Sequence, residues 1–204
     1  MKIYDGGRAP NPRRVQIFLK EKGVEIPTVQ LDLNALEHRT DEMAAKNPGK
    51  TVPFLELDDG TVIAETIAIC RYIESLYPDP SLFGASPLEE AVVEMWNRRV
   101  EFGFFLRVAQ SFRHLHPGAA VLEGEQIADW GLKNQKLAME YLEILDNQLA
   151  GNEFIAGDRF SVADITAVVA AQFFKPARLE VPEKGFSNFK RWFGEVAARP
   201  SLEL

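Results

Sequence analysis

The chain has 204 residues, of which 46% are hydrophobic and 26% charged, and its formal net charge is −7. This composition is typical of a globular protein with one large or two small domains, and its acidic balance argues against nucleic acid or an anionic membrane as the main partner. The single Cys70 excludes an internal disulfide and a cysteine-rich metal site, and the lack of a long apolar run or leader predicts a cytoplasmic protein with neither a metal nor a membrane segment.

The first part of the chain alternates strand and helix patterns. Lys2–Tyr4 predicts a short strand, and Asn11 followed by Pro12 predicts a helix N-cap with proline at the first helical position. Apolar residues then recur with a helical period until Gly23, and Val29–Leu33 alternates as a second strand does. The order strand, helix, strand indicates an α/β unit.

A hairpin and another helix follow. Phe54–Leu57 and Thr61–Ala64 flank Asp59-Gly60, which is a strong signal for a tight turn between two strands. The proline at position 53 stands at the mouth of the first strand, where it cannot donate to a ladder. Glu65-Thr66 begins the next helix, where unpaired main-chain N–H groups favour negative charge. Together these features indicate that this end of the hairpin holds a ligand.

The rest of the chain, after a proline-containing linker near residues 78–87, shows only helical patterns. Ser86 and Glu89 form a capping box that opens a long helix, and Pro117-Gly118 ends that helix or a short one after it. Ser161 and Asp164 form a second capping box, and further amphipathic helices cover about 126–150 and 189–196. We therefore predict an α/β domain over 1–79 and an all-α domain over 86–204.

Three segments give the chain a family resemblance. Asn47–Pro53 matches an N-P-x-G-x-V-P pattern, Glu65–Ile69 an E-S-x-A-I pattern with Thr for Ser, and Gly157–Asp164 a G-x-x-x-S-x-A-D pattern. In this order and spacing they resemble the soluble glutathione transferase family, most closely its theta- and phi-like branches in bacteria, fungi and plants. The resemblance implies a thioredoxin-like N-terminal domain followed by a helical one.

The resemblance also implies where glutathione binds. In the family the proline at position 53 is cis, which only an X–Pro bond makes inexpensive, and the main chain of Val52 is left free to pair with the extended peptide. The γ-glutamyl carboxylate is expected on the helix N-terminus at Thr66, with Glu65 facing the ammonium group. His38 and Lys50 are expected to contact the glycine carboxylate.

The activation of the glutathione thiol is an open question. A free thiol has a pKa of about 8.5, so roughly a few per cent is ionised at neutral pH. Most members of the family place a Tyr, Ser or Cys after the first strand to stabilise the thiolate. The corresponding stretch, Asp5–Arg13, contains none of the three.

Three explanations remain open from the sequence. The helix starting at Asn11 can act through its own N–H groups, with the Asn11 or Arg8 side chain nearby. Alternatively, Ser111 and His114, which share a helical face, can reach over from the helical domain, although histidines there can also cap a helix end. The third explanation is a protein that binds glutathione with little turnover.

The predicted activity is conjugation of glutathione to small apolar electrophiles, with Phe105 and Phe112 among the aromatic residues that could line the electrophile site. The alternatives are a glutathione-dependent peroxidase and a non-catalytic glutathione-binding or assembly module. The resemblance further implies a homodimer.

Overall fold

The structure is a computed structural model that describes residues 1–203. The chain forms two compact units, Met1–Ser81 and a second that begins at Leu82. The domain bounds predicted from the sequence, 1–79 and 86–204, stay a prediction.

The first unit is built on a four-stranded mixed sheet. Its strands are β1 Lys2–Asp5, β2 Thr28–Gln30, β3 Phe54–Glu56 and β4 Val62–Ala64, in the spatial order β2-β1-β3-β4. The β1/β2 pair is parallel, and the other two pairs are antiparallel. A parallel pair needs a crossover connection, which a helix supplies here, so the predicted strand–helix–strand order and the hairpin are both confirmed.

Three helices complete this unit. They are α1 Pro10–Lys22, α2 Asp41–Lys46 and α3 Thr66–Leu76, with a 3-10 turn at Glu37–Arg39. The predicted N-cap of α1 was wrong, because Ala9 occupies that position with extended backbone angles and Pro10 is the first helical residue. The end of α1 was correct, since Gly23 adopts the left-handed conformation at φ 63° and its N–H bonds back to the last turn.

The second unit is helical. Its helices are α4 Pro87–Val100, α5 Leu106–Leu115, α6 Ala120–Glu123, α7 Ala128–Leu149, α8 Val162–Gln172 and α9 Ser187–Ala197. Five residues in π-helical geometry, Glu101–Phe105, join α4 to α5, so the predicted long helix is present with one irregular turn. Gly103 lies in that turn, and a Cβ there would stand 2.1 Å from the ring of Tyr141, which explains why glycine is needed.

Asp164 organises the core of the second unit. It is fully buried, and its carboxylate accepts hydrogen bonds from the N–H of Ile155, the N–H and hydroxyl of Ser161, and the indole N–H of Trp192, at 2.8–3.0 Å. Burial raises the pKa of Asp164 to about 6, and the four donors act in the opposite direction. The capping box predicted for α8 is therefore present, and it also ties α8 to α9.

Candidate functional site

Strand register brings the predicted ligand-binding segments to one end of the sheet. Tyr4 lies opposite Phe54, and Phe54 lies opposite Ala64. The residues after β1, before β3 and after β4 therefore share that end. The close approach of Gly6 to Val52 supports this, because a Cβ on Gly6 would stand 2.8 Å from the Val52 side chain.

The loop after β1 is fixed by a carboxylate that the sequence did not single out. Asp5 is buried, and it accepts hydrogen bonds from the Gly7 N–H and from the Gln16 side-chain amide, the latter at 3.0 and 3.1 Å. Gln16 also donates to the Gly7 carbonyl at 3.0 Å. These bonds hold the approach to α1, and no local pattern indicates those of Gln16, which is eleven residues from Asp5 and nine from Gly7.

The Val52–Pro53 peptide bond is cis, as the resemblance implies. Pro53 is buried and Val52 is half-buried. Within residues 1–203, neither the N–H nor the C=O of Val52 forms a hydrogen bond. Both groups therefore remain available to pair with an extended peptide.

The start of α3 is rich in donors. The first intrahelical bond runs from Ile69 N–H to the Glu65 carbonyl at 3.0 Å. The N–H groups of Thr66, Ile67 and Ala68 precede this bond and therefore have no acceptor within the helix. Thr66 is 7% exposed, and no acidic side chain occupies the first turn. Glu65 has φ 70° and ψ 122°, a conformation that costs a non-glycine residue energy and is found preferentially at functional sites.

The start of α1 offers far fewer main-chain donors. Pro10 and Pro12 have no N–H, and the N–H of Arg13 bonds to the Ala9 carbonyl at 3.0 Å. Of the first three helical positions, only Asn11 carries an N–H. Its side-chain Oδ1 accepts from Arg14 Nη1 at 3.3 Å, so the part of the amide that can donate to a ligand is its NH₂ group.

The two candidates for the glycine end lie on either side of α2. His38, in the 3-10 turn, is 7% exposed, and among the described residues its buried Nδ1 has no hydrogen-bond partner. Burial, and secondarily the charge of Arg39, lowers the pKa of His38. Lys50 is exposed and has φ 50°, in a loop that Asn47 holds through bonds to Gly49 and Thr51.

Ser111 and His114 lie together on α5, and both are buried inside the helical unit. The Ser111 hydroxyl donates to the Ala177 carbonyl at 2.7 Å. His114 Nδ1 accepts from the Ile127 N–H at 3.1 Å, immediately before α7, and is therefore unprotonated there. The expectation that histidine caps the end of its own helix does not describe His114, which binds the start of another helix.

The two aromatic candidates are both half-buried. Phe112 stacks on His116 with ring centroids 4.9 Å apart, and it meets Phe173 edge-on at 4.8 Å. Phe105 closes the π-helical turn, next to Phe104, which is fully buried and belongs to the core.

Within residues 1–203, no group of three or more His, Cys, Asp or Glu side chains is placed to hold a metal ion, and no helix is long and apolar enough to cross a membrane. Cys70 is buried, which raises the pKa of its thiol to about 12.

Comparison with known proteins assigns the family. A model of the glutathione S-transferase N-terminal domain matches residues 9–76, and a model of the C-terminal domain matches residues 99–200. The chain belongs to the glutathione transferase family. Glutathione S-transferase 2 of Saccharomyces cerevisiae is 39% identical over 100% of this chain and 88% of its own length.

Solved structures agree with this assignment. A glutathione S-transferase domain-containing protein from Marinobacter aquaeolei VT8 is 46% identical, with a TM-score of 0.95 over 100% of both chains. A glutathione S-transferase of class Gtt2 from Vibrio parahaemolyticus is 40% identical, with a TM-score of 0.88 over 100% of this chain and 96% of that one. The predictions of a thioredoxin-like plus helical architecture and of a transferase enzyme with glutathione as co-substrate are confirmed.

Proposed function

We propose that this glutathione transferase joins the glutathione sulfur to small apolar electrophiles, with the peptide held along the sheet end described above. The observation that best supports this is the convergence of a free main-chain pair at Val52 with the starts of α1 and α3. A tripeptide with two carboxylates and a thiol requires a main-chain segment that pairs with its backbone and separate sites for its negatively charged groups.

The γ-glutamyl end is assigned to α3. Its carboxylate accepts from the Thr66 hydroxyl and from the N–H groups of the first turn, and Glu65 faces the ammonium group. The strained backbone of Glu65 is consistent with a residue held in place for binding.

The cysteinyl residue pairs with the main chain of Val52, which directs its sulfur towards the start of α1. Asn11 then supplies the thiolate with its N–H and its side-chain NH₂ group. A helix N-terminus stabilises an exposed anion by about 0.3–1 kcal/mol, and up to about 2 kcal/mol when partly buried. At about 1.4 kcal/mol per pKa unit, this lowers the pKa of the bound thiol by about one unit.

Ser111 and His114 are kept as the alternative donors. The Ser111 proton is already donated inside the helical unit, which favours Asn11 over Ser111 as the principal donor, and the His114 Nδ1 lone pair is occupied, so Nδ1 cannot take the thiol proton. The glycine carboxylate is assigned to His38 and Lys50, and the electrophile to an apolar surface that includes Phe105 and Phe112. A cytoplasmic location stays a prediction.

A homodimer is the proposed assembly. Leu88, Met95 and Phe102 recur every seven residues along α4 and the π-helical turn, and they are 75%, 39% and 55% exposed. An exposed apolar stripe with this spacing is suited to packing against another helical surface. Sedimentation at micromolar concentration is expected to give twice the chain mass, and a species of one chain mass would contradict the proposal.

Conjugation is tested with immobilised glutathione and an activated aromatic chloride. The protein should be retained and eluted by free glutathione, and it should form a carbon–sulfur bond with release of chloride ion and the thiol proton. Retention without turnover of any apolar electrophile would contradict the proposed activity while leaving the glutathione site intact.

A further inference from the structure

Helix α2 connects the two residues assigned to the glycine end of glutathione. His38 lies three residues before α2, and Lys50 lies four residues after it. A six-residue helix has little stability of its own in water, because nucleation costs more than so few hydrogen bonds return. The position of α2, and with it the spacing of His38 and Lys50, therefore depends on what fastens α2 to the sheet.

Met43 and Lys46 fasten α2 to the sheet. Met43, 7% exposed, packs in an apolar cluster with Tyr4 and Phe54. At the last residue of the helix, Lys46 Nζ lies 2.7 Å from Glu56 Oε2, and the Tyr4 hydroxyl donates to the same oxygen at 2.8 Å. The apolar contact tolerates rotation and sliding, whereas the Lys46–Glu56 hydrogen bond is directional and restrains α2, and the Tyr4 bond orients the carboxylate that accepts it.

The Glu56 carboxylate suits this role electrostatically. Hydrogen bonds from Lys46, and then from Tyr4, lower the pKa of Glu56, and the bond to Glu56 raises the pKa of Lys46. Both partners therefore keep their charges at neutral pH. Glu56 is on β3, two residues beyond Phe54, so it belongs to the strand that Val52 and Pro53 lead into.

We propose that Glu56 is a positioning residue for glutathione, which through Lys46 holds α2 so that His38 and Lys50 reach the glycine carboxylate together. The inference rests on the proposed glutathione site. It adds to that site a pair of residues that do not contact the ligand.

The chain contains a matched control in Lys2. Its Nζ lies 3.7 Å from the same Glu56 oxygen, and the Nζ atoms of Lys2 and Lys46 are each 5.5 Å from the Tyr4 ring centroid. Lys2 belongs to β1, however, so its removal deletes a similar charge beside Glu56 without releasing α2.

The test measures the affinities of glutathione and γ-glutamylcysteine, which lacks the glycine, by calorimetry. Lys46→Met should weaken glutathione binding by about threefold to tenfold and leave γ-glutamylcysteine unchanged. Lys2→Met should change neither. In steady-state assays Lys46→Met and Glu56→Gln should raise KM for glutathione with kcat unchanged, and Lys46→Arg should restore KM.

Three results would overturn the inference. The first is that Lys46→Met weakens the binding of glutathione and γ-glutamylcysteine equally. The second is that Lys2→Met weakens glutathione binding as much as Lys46→Met does. The third is that Lys46→Met leaves glutathione affinity unchanged. A His38→Ala variant separates this failure from that of the underlying site. If His38→Ala weakens glutathione binding and Lys46→Met does not, the inference alone fails; if neither does, the assigned glycine subsite fails with it.

Discussion

Helices α1 and α3 begin at the same end of the sheet but present different main-chain chemistry there. The first three positions of α3 have three N–H groups, and those of α1 have one, because two of its three residues are proline. Helix N-termini attract anions through these N–H groups as well as through the macrodipole. A carboxylate, with two oxygens, requires several donors, whereas a thiolate presents a single atom. The difference supports our proposal that the carboxylate binds at α3 and the thiolate at α1.

The largest effect is expected from removing a donor at the start of α3. Thr66→Ala should weaken glutathione binding by about 1.5–3 kcal/mol, roughly tenfold to a hundredfold, because a charge-assisted hydrogen bond is lost. Alanine is compatible with the first turn of a helix, so the fold should be retained. Thr66→Ser keeps the hydroxyl and should bind nearly as well as the wild type in calorimetry. Equal glutathione affinity of the Ala and Ser variants would contradict the proposal that the Thr66 hydroxyl binds the carboxylate at α3.

A second variant tests whether the Ser111 hydroxyl stabilises the fold or the glutathione thiolate. Ser111→Ala should lower the free energy of unfolding by about 1 kcal/mol, because it removes a buried hydrogen bond. The cost stays near this value since Gln135 Nε2 still donates to the Ala177 carbonyl at 3.2 Å. Chemical denaturation measures it, with Ser75→Ala, which loses an exposed hydrogen bond, as the near-neutral control. A change in the pKa of bound glutathione in Ser111→Ala would restore this hydroxyl as a thiol donor.

The smallest effect comes from making α1 resemble α3. Pro12→Ala adds an N–H to the first turn of α1, so the pKa of the bound thiol should fall by a few tenths of a unit. Pro182→Ala, at an exposed position of the second unit, is the control for loss of a proline. Titration of thiolate absorbance measures the shift. Identical titrations for Pro12→Ala and the wild type would show that the number of N–H groups at the start of α1 does not determine the pKa of the bound thiol.

The sequence predicted the elements whose signals are local. The Asp59-Gly60 turn, the left-handed Gly23 and the Ser161–Asp164 capping box all act within a few residues, and all are present. The N-cap of α1 was placed two residues late because Pro10 and Pro12 both fit a first turn and Ala9 has no capping side chain.

Features that depend on distant contacts were not predicted. Helix α2 buries only Met43, so it shows no apolar period, although Thr40 caps it. In the π-helical turn, Gly103 is closely approached by Tyr141, which is thirty-eight residues away in sequence. In the site, the motif residues were found from the resemblance. The Asp5–Gln16 bonds and the strained Glu65 are products of tertiary structure.

The most direct test of the thiolate assignment is the pKa of bound glutathione in the wild type and in Asn11→Asp. The aspartate can still accept from Arg14, so the start of α1 should keep its structure, but it replaces the amide donor with a like charge. We predict a wild-type thiol pKa about one unit below the free value of about 8.5, and a rise of about one unit in the variant. Asn11→Ala, which removes the donor without adding charge, should fall between them. With glutathione bound in all three proteins, identical thiol pKa values would contradict the assignment of the thiolate to α1.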